Sequence, residues 1–126
     1  MITTLYFEFG EVRVFKNFVL VVMKEGTTVK PEHNDHLEEI AIKYYAGRKF
    51  GYITFRKNSY AVNPLVYLKT SKIKNLAGFA VVSDDGLRVS NLMIEKQFLK
   101  KPLKHFTNLD KAKDWILEII HKKADK

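Results

Sequence analysis

The sequence predicts a single α/β domain built on a mixed β-sheet, and three observations support this prediction. Residues 2–24 contain three short stretches of strand character separated by turn signals: LYFEFG, VRVFKN and FVLVVMK. From residue 31 onward, helical and strand patterns alternate. The chain has 126 residues without an internal repeat or a linker, which indicates one domain over 1–126. Consecutive strands followed by alternation favour antiparallel pairing first and a parallel core after it.

The opening strands follow from the spacing of apolar residues. In LYFEF, Leu5, Phe7 and Phe9 recur with the period of two that marks a half-buried strand. FVLVVMK is an unbroken β-branched run, which indicates a strand buried on both faces. The sequence therefore predicts three antiparallel strands, over about 2–9, 11–16 and 18–24.

The first helix is predicted to begin at Pro31 and to end at Gly47. Proline suits a first helical position because its missing N–H would have no partner there, and glycine suits the end of a helix. The apolar stripe between them has helical spacing and consists of Leu37, Ile40, Ala41 and Tyr44.

The later elements alternate in the same way. FGYITF, LAGFAVVS and LKHFT have strand patterns, Asn63-Pro64 is expected to begin a short helix, and residues 87–99 have a helical pattern after a turn at Asp84-Asp85-Gly86. Asn108 is expected to cap the last helix, whose apolar stripe is Leu109, Ala112, Ile116, Ile119 and Ile120, with Trp115 alongside.

Charge is unevenly distributed along the chain. The net charge is +8, and residues 40–83 carry eight basic side chains and no acidic one. Such a segment creates a positive field over the face it occupies. It favours an anionic partner, such as an acidic protein surface, a phosphorylated ligand, nucleic acid or anionic lipid. The alternative is that these charges serve solubility alone.

The chain lacks the marks of membrane or secreted proteins. Its longest apolar run, Phe18 to Met23, is far shorter than the roughly 20 residues that span a bilayer. The N-terminus has no signal-peptide pattern, and there is no Cys to form a disulfide or a thiolate site. We therefore expect a cytoplasmic protein without a membrane span.

Three stretches resemble a known family: GYITFRKNSYAVNPLVY, IEKQFLKKPLKHF and NLDKAKDWI. Together with the element order, they resemble the STAS-like (sporulation anti-sigma-factor-antagonist-like) domains, in particular small stand-alone bacterial members. The resemblance implies a mixed sheet with helices and a non-catalytic role in protein recognition. It also implies a regulatory serine after a central strand, for which Ser59 is the nearest match and a candidate phosphorylation site. The acidic residue and the glycine of the family motif are absent here.

The candidate site is the segment that follows the strand FGYIT. In a sheet with parallel strands, ligands collect outside the carboxyl ends of the strands. Arg56 offers a planar fork of donors and Lys57 a point charge to a phosphate or carboxylate. Four neighbours complete the predicted site, with helix-capping groups and aromatic contact surface: Asn58, Ser59, Tyr60 and Tyr67. The alternative is that these residues only solvate the loop and turn the chain.

Other chemistries have weaker support. His33, His36 and Glu39 do not have the spacing of a known zinc motif, and we interpret them as surface residues of the first helix. No catalytic or cofactor motif is found, so we expect neither an enzyme nor a cofactor. Nucleic acid is disfavoured because the aromatic residues of the basic segment have the pattern of core residues. Two functions stay open: recognition of an acidic or phosphorylated protein partner, and binding of a phosphorylated or lipid-like small molecule. A homodimer is a further alternative, because the exposed edge strands of a mixed sheet can pair with a second copy.

Overall fold

The computed structural model describes residues 2–55, 61–62, 65–83 and 99–124 of the chain. The strands in these ranges are β1 (Thr3–Phe7), β2 (Gly10–Val14), β3 (Phe18–Met23), β4 (Thr28–Val29), β5 (Phe50–Phe55), β6 (Ala61–Val62), β7 (Leu76–Val82) and β8 (Leu103–Phe106). The helical elements are a 3-10 turn (Pro31–His33), α1 (Asn34–Ile40), a π turn (Ala41–Tyr45), α2 (Val66–Thr70) and α3 (Leu109–Ala124). The predicted turn at 84–86, the helix over 87–99 and the Asn63-Pro64 cap lie outside the described residues, apart from the last residue of that helix.

The long strands form one mixed sheet, as the sequence predicts. In the described residues the order across the sheet is β1-β2-β3-β5-β7-β8. The first three strands pair antiparallel, and β3, β5, β7 and β8 run parallel to one another. In a small second sheet, β4 pairs with β6 in parallel; β4 follows β3 in the chain and β6 follows β5. Because these four strands are parallel, all of them begin at one end of the sheet and finish at the other. We call the side where they finish the carboxyl edge and the side where they begin the amino edge; neither name refers to the outermost strands.

Each face of the sheet carries its own apolar cluster, because successive strand residues point to opposite faces. Val19 and Val21 of β3 face α1 and α2, whereas Phe18 and Leu20 face α3. The crossovers from β3 to β5 and from β5 to β7 step in the same direction across the sheet. Because parallel crossovers are right-handed, their helices are expected on the same face, and α1 and α2 do share a face. The domain thus has three layers, with the sheet in the middle.

The first helix widens toward its end, which changes one predicted core position. In the π turn, the Ala46 N–H donates to the carbonyl oxygen of Ala41 at 3.1 Å. Because such a turn takes more residues than an α-turn, the side chain that next faces the sheet is Tyr45. Tyr45 is 2% exposed and Tyr44 is only half-buried, so the predicted burial of Tyr44 is wrong by one position. The chain leaves the helix through two left-handed residues, Ala46 and the predicted Gly47.

Tyr45 ties the end of this helical segment to the turn before β3. Its hydroxyl lies 2.7 Å from the carbonyl oxygen of Phe15 and 2.8 Å from that of Phe18. Its ring stacks on Phe50, with centroids 4.3 Å apart. Burial raises the pKa of the Tyr45 phenol well above its ordinary value, and the nearby Arg48 guanidinium opposes this only in part.

This raised pKa predicts a loss of stability in alkaline solution. Above about pH 10 Tyr45 ionises in the unfolded chain but stays protonated in the folded one. The contribution of Tyr45 to the free energy of unfolding is therefore complete below that pH and is lost as the pH rises. Tyr45→Phe lacks this contribution. Urea unfolding at pH 8, 9.5 and 11 should therefore show the stability difference between the two proteins narrowing, by up to about 1.4 kcal/mol per pH unit above 10. Tyr6→Phe, at a 79% exposed position, serves as control. Equal pH profiles for the parent and Tyr45→Phe would contradict the assignment.

α3 lies close to the sheet because two glycines leave space for it. Gly51 of β5 and Gly78 of β7 are register partners. A Cβ atom at Gly51 would collide with the side chain of Ile116, and one at Gly78 with that of Ile119. Ile116 is fully buried in this contact. The glycines therefore set the distance between sheet and helix.

The last helix begins and packs as predicted. The Oδ1 atom of Asn108 accepts hydrogen bonds from the backbone N–H groups of Asp110 at 2.7 Å and Lys111 at 3.3 Å. Ala112 and Ile116 are fully buried, and the rest of the predicted stripe packs around them. No helix within the described ranges combines the length and the apolar character needed to cross a membrane.

Candidate functional site

A cleft of about 60 Å³ lies between the sheet and the layer formed by α1 and α2, toward the carboxyl edge. The sheet contributes Phe9, Val12, Val21, Met23, Tyr52, Thr54 and Phe79. The helical layer contributes His33, Asn34, His36, Leu37, Ile40, Val66, Tyr67 and Thr70. Among these lining residues none is Lys, Arg, Asp or Glu. The cleft is therefore largely apolar, with a small number of polar groups, as is usual for small-molecule sites.

The most unusual polar group in the lining is the side-chain amide of Asn34. Asn34 is 4% exposed, and its Oδ1 atom accepts a hydrogen bond of 2.7 Å from the Thr70 hydroxyl. The same hydroxyl lies 3.0 Å from the carbonyl oxygen of Val66. The Nδ2 atom of Asn34 is buried and has no hydrogen-bond partner among the described residues. A buried amide donor left unpaired costs about 1–3 kcal/mol.

Reversal of the amide would not remove this deficit. Oxygen and nitrogen of an Asn side chain can be exchanged without changing its shape. In the reversed orientation Nδ2 would donate to the Thr70 hydroxyl, which would donate to Val66, and Oδ1 would be the unpaired atom. In either orientation, one polar atom of Asn34 has no hydrogen-bond partner among the described residues.

His33, His36 and Phe9 line one wall of the cleft, and Phe7 packs beside them. The Phe7 and Phe9 rings stack with centroids 5.1 Å apart, His36 lies 4.5 Å from Phe7, and His33 lies 5.1 Å from Phe9. The backbone N–H of Lys30 donates to Nδ1 of His33 at 3.0 Å, which fixes that ring. Both histidines are half-buried and line the cleft, whereas Glu39 is exposed, so the prediction of plain surface residues is confirmed for Glu39 and wrong for the histidines. Their partial exposure marks where the cleft meets solvent.

The predicted site residues fall into two groups. Arg56, Lys57, Asn58, Ser59 and Tyr60 lie outside the described residues, so their binding role and the phosphorylation of Ser59 stay predictions. Tyr67 is described: it is 3% exposed, lines the cleft, and packs edge-on against Phe79 with centroids 5.7 Å apart. The cleft itself lies toward the carboxyl edge, the side of the sheet on which the sequence predicts a site.

Several lining residues escaped the sequence prediction, although a signal for them exists. Asn34 stands three residues before Leu37, at a position where the apolar stripe of the helix would continue. Thr70 stands four residues after the buried Val66, and Thr54 is 2% exposed within an apolar strand. A polar residue at a position that the periodicity buries needs a hydrogen-bond partner and is therefore a candidate for a site.

Within the described residues, no three side chains of His, Cys, Asp or Glu come together in a way that would hold a metal ion. Comparison with protein-family models, with curated proteins and with solved structures finds no match for this chain. The resemblance to STAS-like domains therefore stays a prediction. What the fold and the cleft define is an α/β domain with a small apolar cleft under its α1–α2 layer.

Proposed function

We propose that this protein is a non-catalytic binding protein whose cleft takes one end of a small, neutral, mainly apolar ligand. The observation that carries the proposal is the buried Asn34 amide, which lines the cleft and lacks a partner for one of its polar atoms. A hydroxyl or amide group on the ligand would supply that partner in either orientation of Asn34, because both groups donate and accept hydrogen bonds.

The lining favours a neutral ligand over a charged one. With no Lys or Arg among the described lining residues, a buried carboxylate or phosphate would lack a permanent counter-charge. Burying an unpaired charge costs far more free energy than burying a hydrogen-bonded hydroxyl or amide. Of the small ligands that the sequence left open, the lipid-like class is therefore favoured over the phosphorylated class.

The size of the cleft limits how much of the ligand it encloses. The volume of the cleft, about 60 Å³, is well under half that of an apolar cavity of about 150 Å³ that binds benzene. The cleft thus encloses a polar end and a few carbon atoms. The rest of an elongated ligand would leave past His33 and His36, where the phenylalanine rings offer further apolar contact.

The described lining supports binding without catalysis, because its two histidines, His33 and His36, have no carboxylate beside them among the lining residues. It contains no carboxylate, lysine or cysteine, and the Thr70 hydroxyl is engaged with Asn34 and Val66. A non-catalytic role also agrees with what the STAS-like resemblance implies.

Calorimetric titration with six-carbon compounds tests the proposal. Hexan-1-ol and hexanamide should bind one to one, and hexanoate at pH 8 should bind at least tenfold more weakly because its charge is unpaired in the cleft. Butan-1-ol should also bind more weakly than hexan-1-ol, since each buried CH₂ contributes about 0.8 kcal/mol, or roughly fourfold in affinity. Binding of hexanoate as tight as that of hexanamide, or no binding of either neutral compound at millimolar concentration, would contradict the proposal.

A further inference from the structure

The amino edge of the sheet gathers basic residues from four separate loops. Because β3, β5, β7 and β8 are parallel, the segments that precede them meet at this one edge. These segments are residues 15–17, 46–49, 71–75 and 99–102. Their basic side chains are Lys16, Arg48, Lys49, Lys72, Lys74, Lys100 and Lys101, and the four segments contain no Asp or Glu. We call this set the basic edge.

Hydrogen bonds connect neighbouring loops of the basic edge into one surface. The Arg48 guanidinium donates to the carbonyl oxygen of Lys16 at 2.7 Å, and the Asn75 amide donates to that of Arg48 at 3.1 Å. On the far side, the backbone N–H of Lys100 donates to the Ser71 hydroxyl at 2.7 Å. The loops are thus held side by side in the order of their strands, which brings their basic residues to one end of the sheet.

Stabilisation of a neighbouring helix end explains only some of the basic residues at this edge. The π turn ends at this edge and α2 ends two residues before Lys72, and a cation near a helix carboxyl end is stabilised by the helix dipole. That effect reaches only about one turn, so it applies to Arg48 and Lys72 but leaves Lys16, Lys74 and Lys100 unexplained. All five are exposed. Like charges gathered on one surface repel one another, which lowers the stability of the isolated domain.

We propose that the basic edge binds an extended acidic peptide segment of a protein partner. Four neighbouring strands at about 4.8 Å spacing set a row roughly 14 Å long. An extended chain advances about 3.4 Å per residue, so some four or five acidic residues match this row. The proposal concerns the edge opposite the cleft and does not depend on ligand binding there.

The same surface lacks the features that nucleic acid binding uses. Single strands are held by aromatic side chains that stack on bases, and the one aromatic residue of the four loops, Phe15, stacks on Phe18 with Lys113 beside its ring. Reading a duplex requires a helix or ribbon that enters a groove, whereas the described basic edge consists of loops. An acidic peptide is therefore the favoured occupant.

Fluorescence anisotropy with two probes tests this proposal. The probes are a labelled peptide of eight alternating Glu and Asp residues and a labelled 20-base-pair DNA duplex, each at 50 and 200 mM KCl. The variant Lys72→Glu/Lys74→Glu changes two exposed cations of the basic edge. The control Lys24→Glu/Lys111→Glu makes the same change in net charge toward the carboxyl edge, since Lys24 follows β3 and Lys111 lies in the first turn of α3.

We expect the peptide to bind the parent protein at 50 mM KCl and more weakly at 200 mM. The basic-edge variant should lose at least tenfold in affinity and the control less than threefold. If the Glu pair impairs folding, Lys72→Gln/Lys74→Gln replaces it, and this variant should also lose more peptide affinity than the control. Equal losses in the variant and the control, no peptide binding at 50 mM KCl, or tighter binding of the duplex than of the peptide would each overturn the proposal.

Discussion

Replacing Ile116 with alanine is expected to lower the free energy of unfolding by about 3–5 kcal/mol. Ile116 is fully buried between α3 and the sheet and lies directly over Gly51. Its truncation removes buried apolar surface and leaves a cavity in the contact, and isoleucine-to-alanine changes in cores cost about 2–5 kcal/mol. The site cannot collapse easily, because the sheet beneath it is held by parallel pairing on both sides. The upper part of that range is therefore expected.

The same contact predicts a coupling between Ile116 and Gly51. Gly51→Ala alone should lower stability by about 1–3 kcal/mol, because the new methyl group would collide with Ile116. In the Ile116→Ala background, that methyl group would occupy vacated space. The double variant should then be more stable than the sum of the single effects allows, with an interaction of at least about 1 kcal/mol. Urea unfolding of the four proteins measures this.

A half-buried neighbour serves as control for this experiment. Leu117 lies on the same helix but outside the buried cluster, so Leu117→Ala should cost clearly less than Ile116→Ala. Strict additivity of Gly51→Ala and Ile116→Ala would show that the glycine does not set the helix–sheet distance.

The second large effect concerns Asn34, whose replacement should separate stability from binding. Asn34→Leu keeps the number of side-chain heavy atoms and removes the unpaired amide. The free energy of unfolding should rise by about 1 kcal/mol, since relief of the unpaired group outweighs the lost hydrogen bond to Thr70. The Thr70 hydroxyl keeps its bond to Val66. Affinity for hexanamide should fall at least tenfold.

The matched control for this prediction makes the same substitution at the opposite edge of the sheet. Asn17→Leu lies in the turn before β3 and does not line the cleft, so it should leave hexanamide binding unchanged. A loss of stability in Asn34→Leu together with unchanged binding would identify Asn34 as a structural residue only. A gain in stability with lost binding is the pattern expected of a residue kept for function.

Most of the fold could be predicted from the sequence because its signals are local. The β-branched run of β3 and the capping Asn108 act within a few residues, and both are found where they were expected. The alternation in LYFEF is found as a strand only up to Phe7, because Glu8 and Phe9 form the turn to β2. The misplacement of Tyr44 has a different origin. An α-helical period was assumed to the end of the helix, whereas the π turn brings Tyr45 against Phe15 and Phe18. Those carbonyl groups are distant in sequence, so local periodicity contains no information about them.

The candidate site could be predicted only in its general position. Parallel strands place a crevice at their carboxyl ends, and the cleft lies on that side of the sheet. Its key pair, Asn34 and Thr70, is 36 residues apart and meets only after two crossovers have formed. The position of the basic residues in space also could not be predicted from the sequence alone. A segment without carboxylates is visible in the sequence, but parallel strand order alone brings Lys16 and Lys100 to the same edge as Arg48.

Binding in the cleft is tested most directly by an NMR measurement of contacts between hexan-1-ol and the Asn34 side chain. With isotope-labelled protein and unlabelled alcohol, we expect intermolecular nuclear Overhauser effects from the first CH₂ of the ligand to the Asn34 side-chain NH₂ and to Phe9. We also expect a shift of that NH₂ signal on titration. Contacts confined to exposed apolar residues such as Leu65 and Leu68, with an unmoved Asn34 signal, would contradict binding in the cleft.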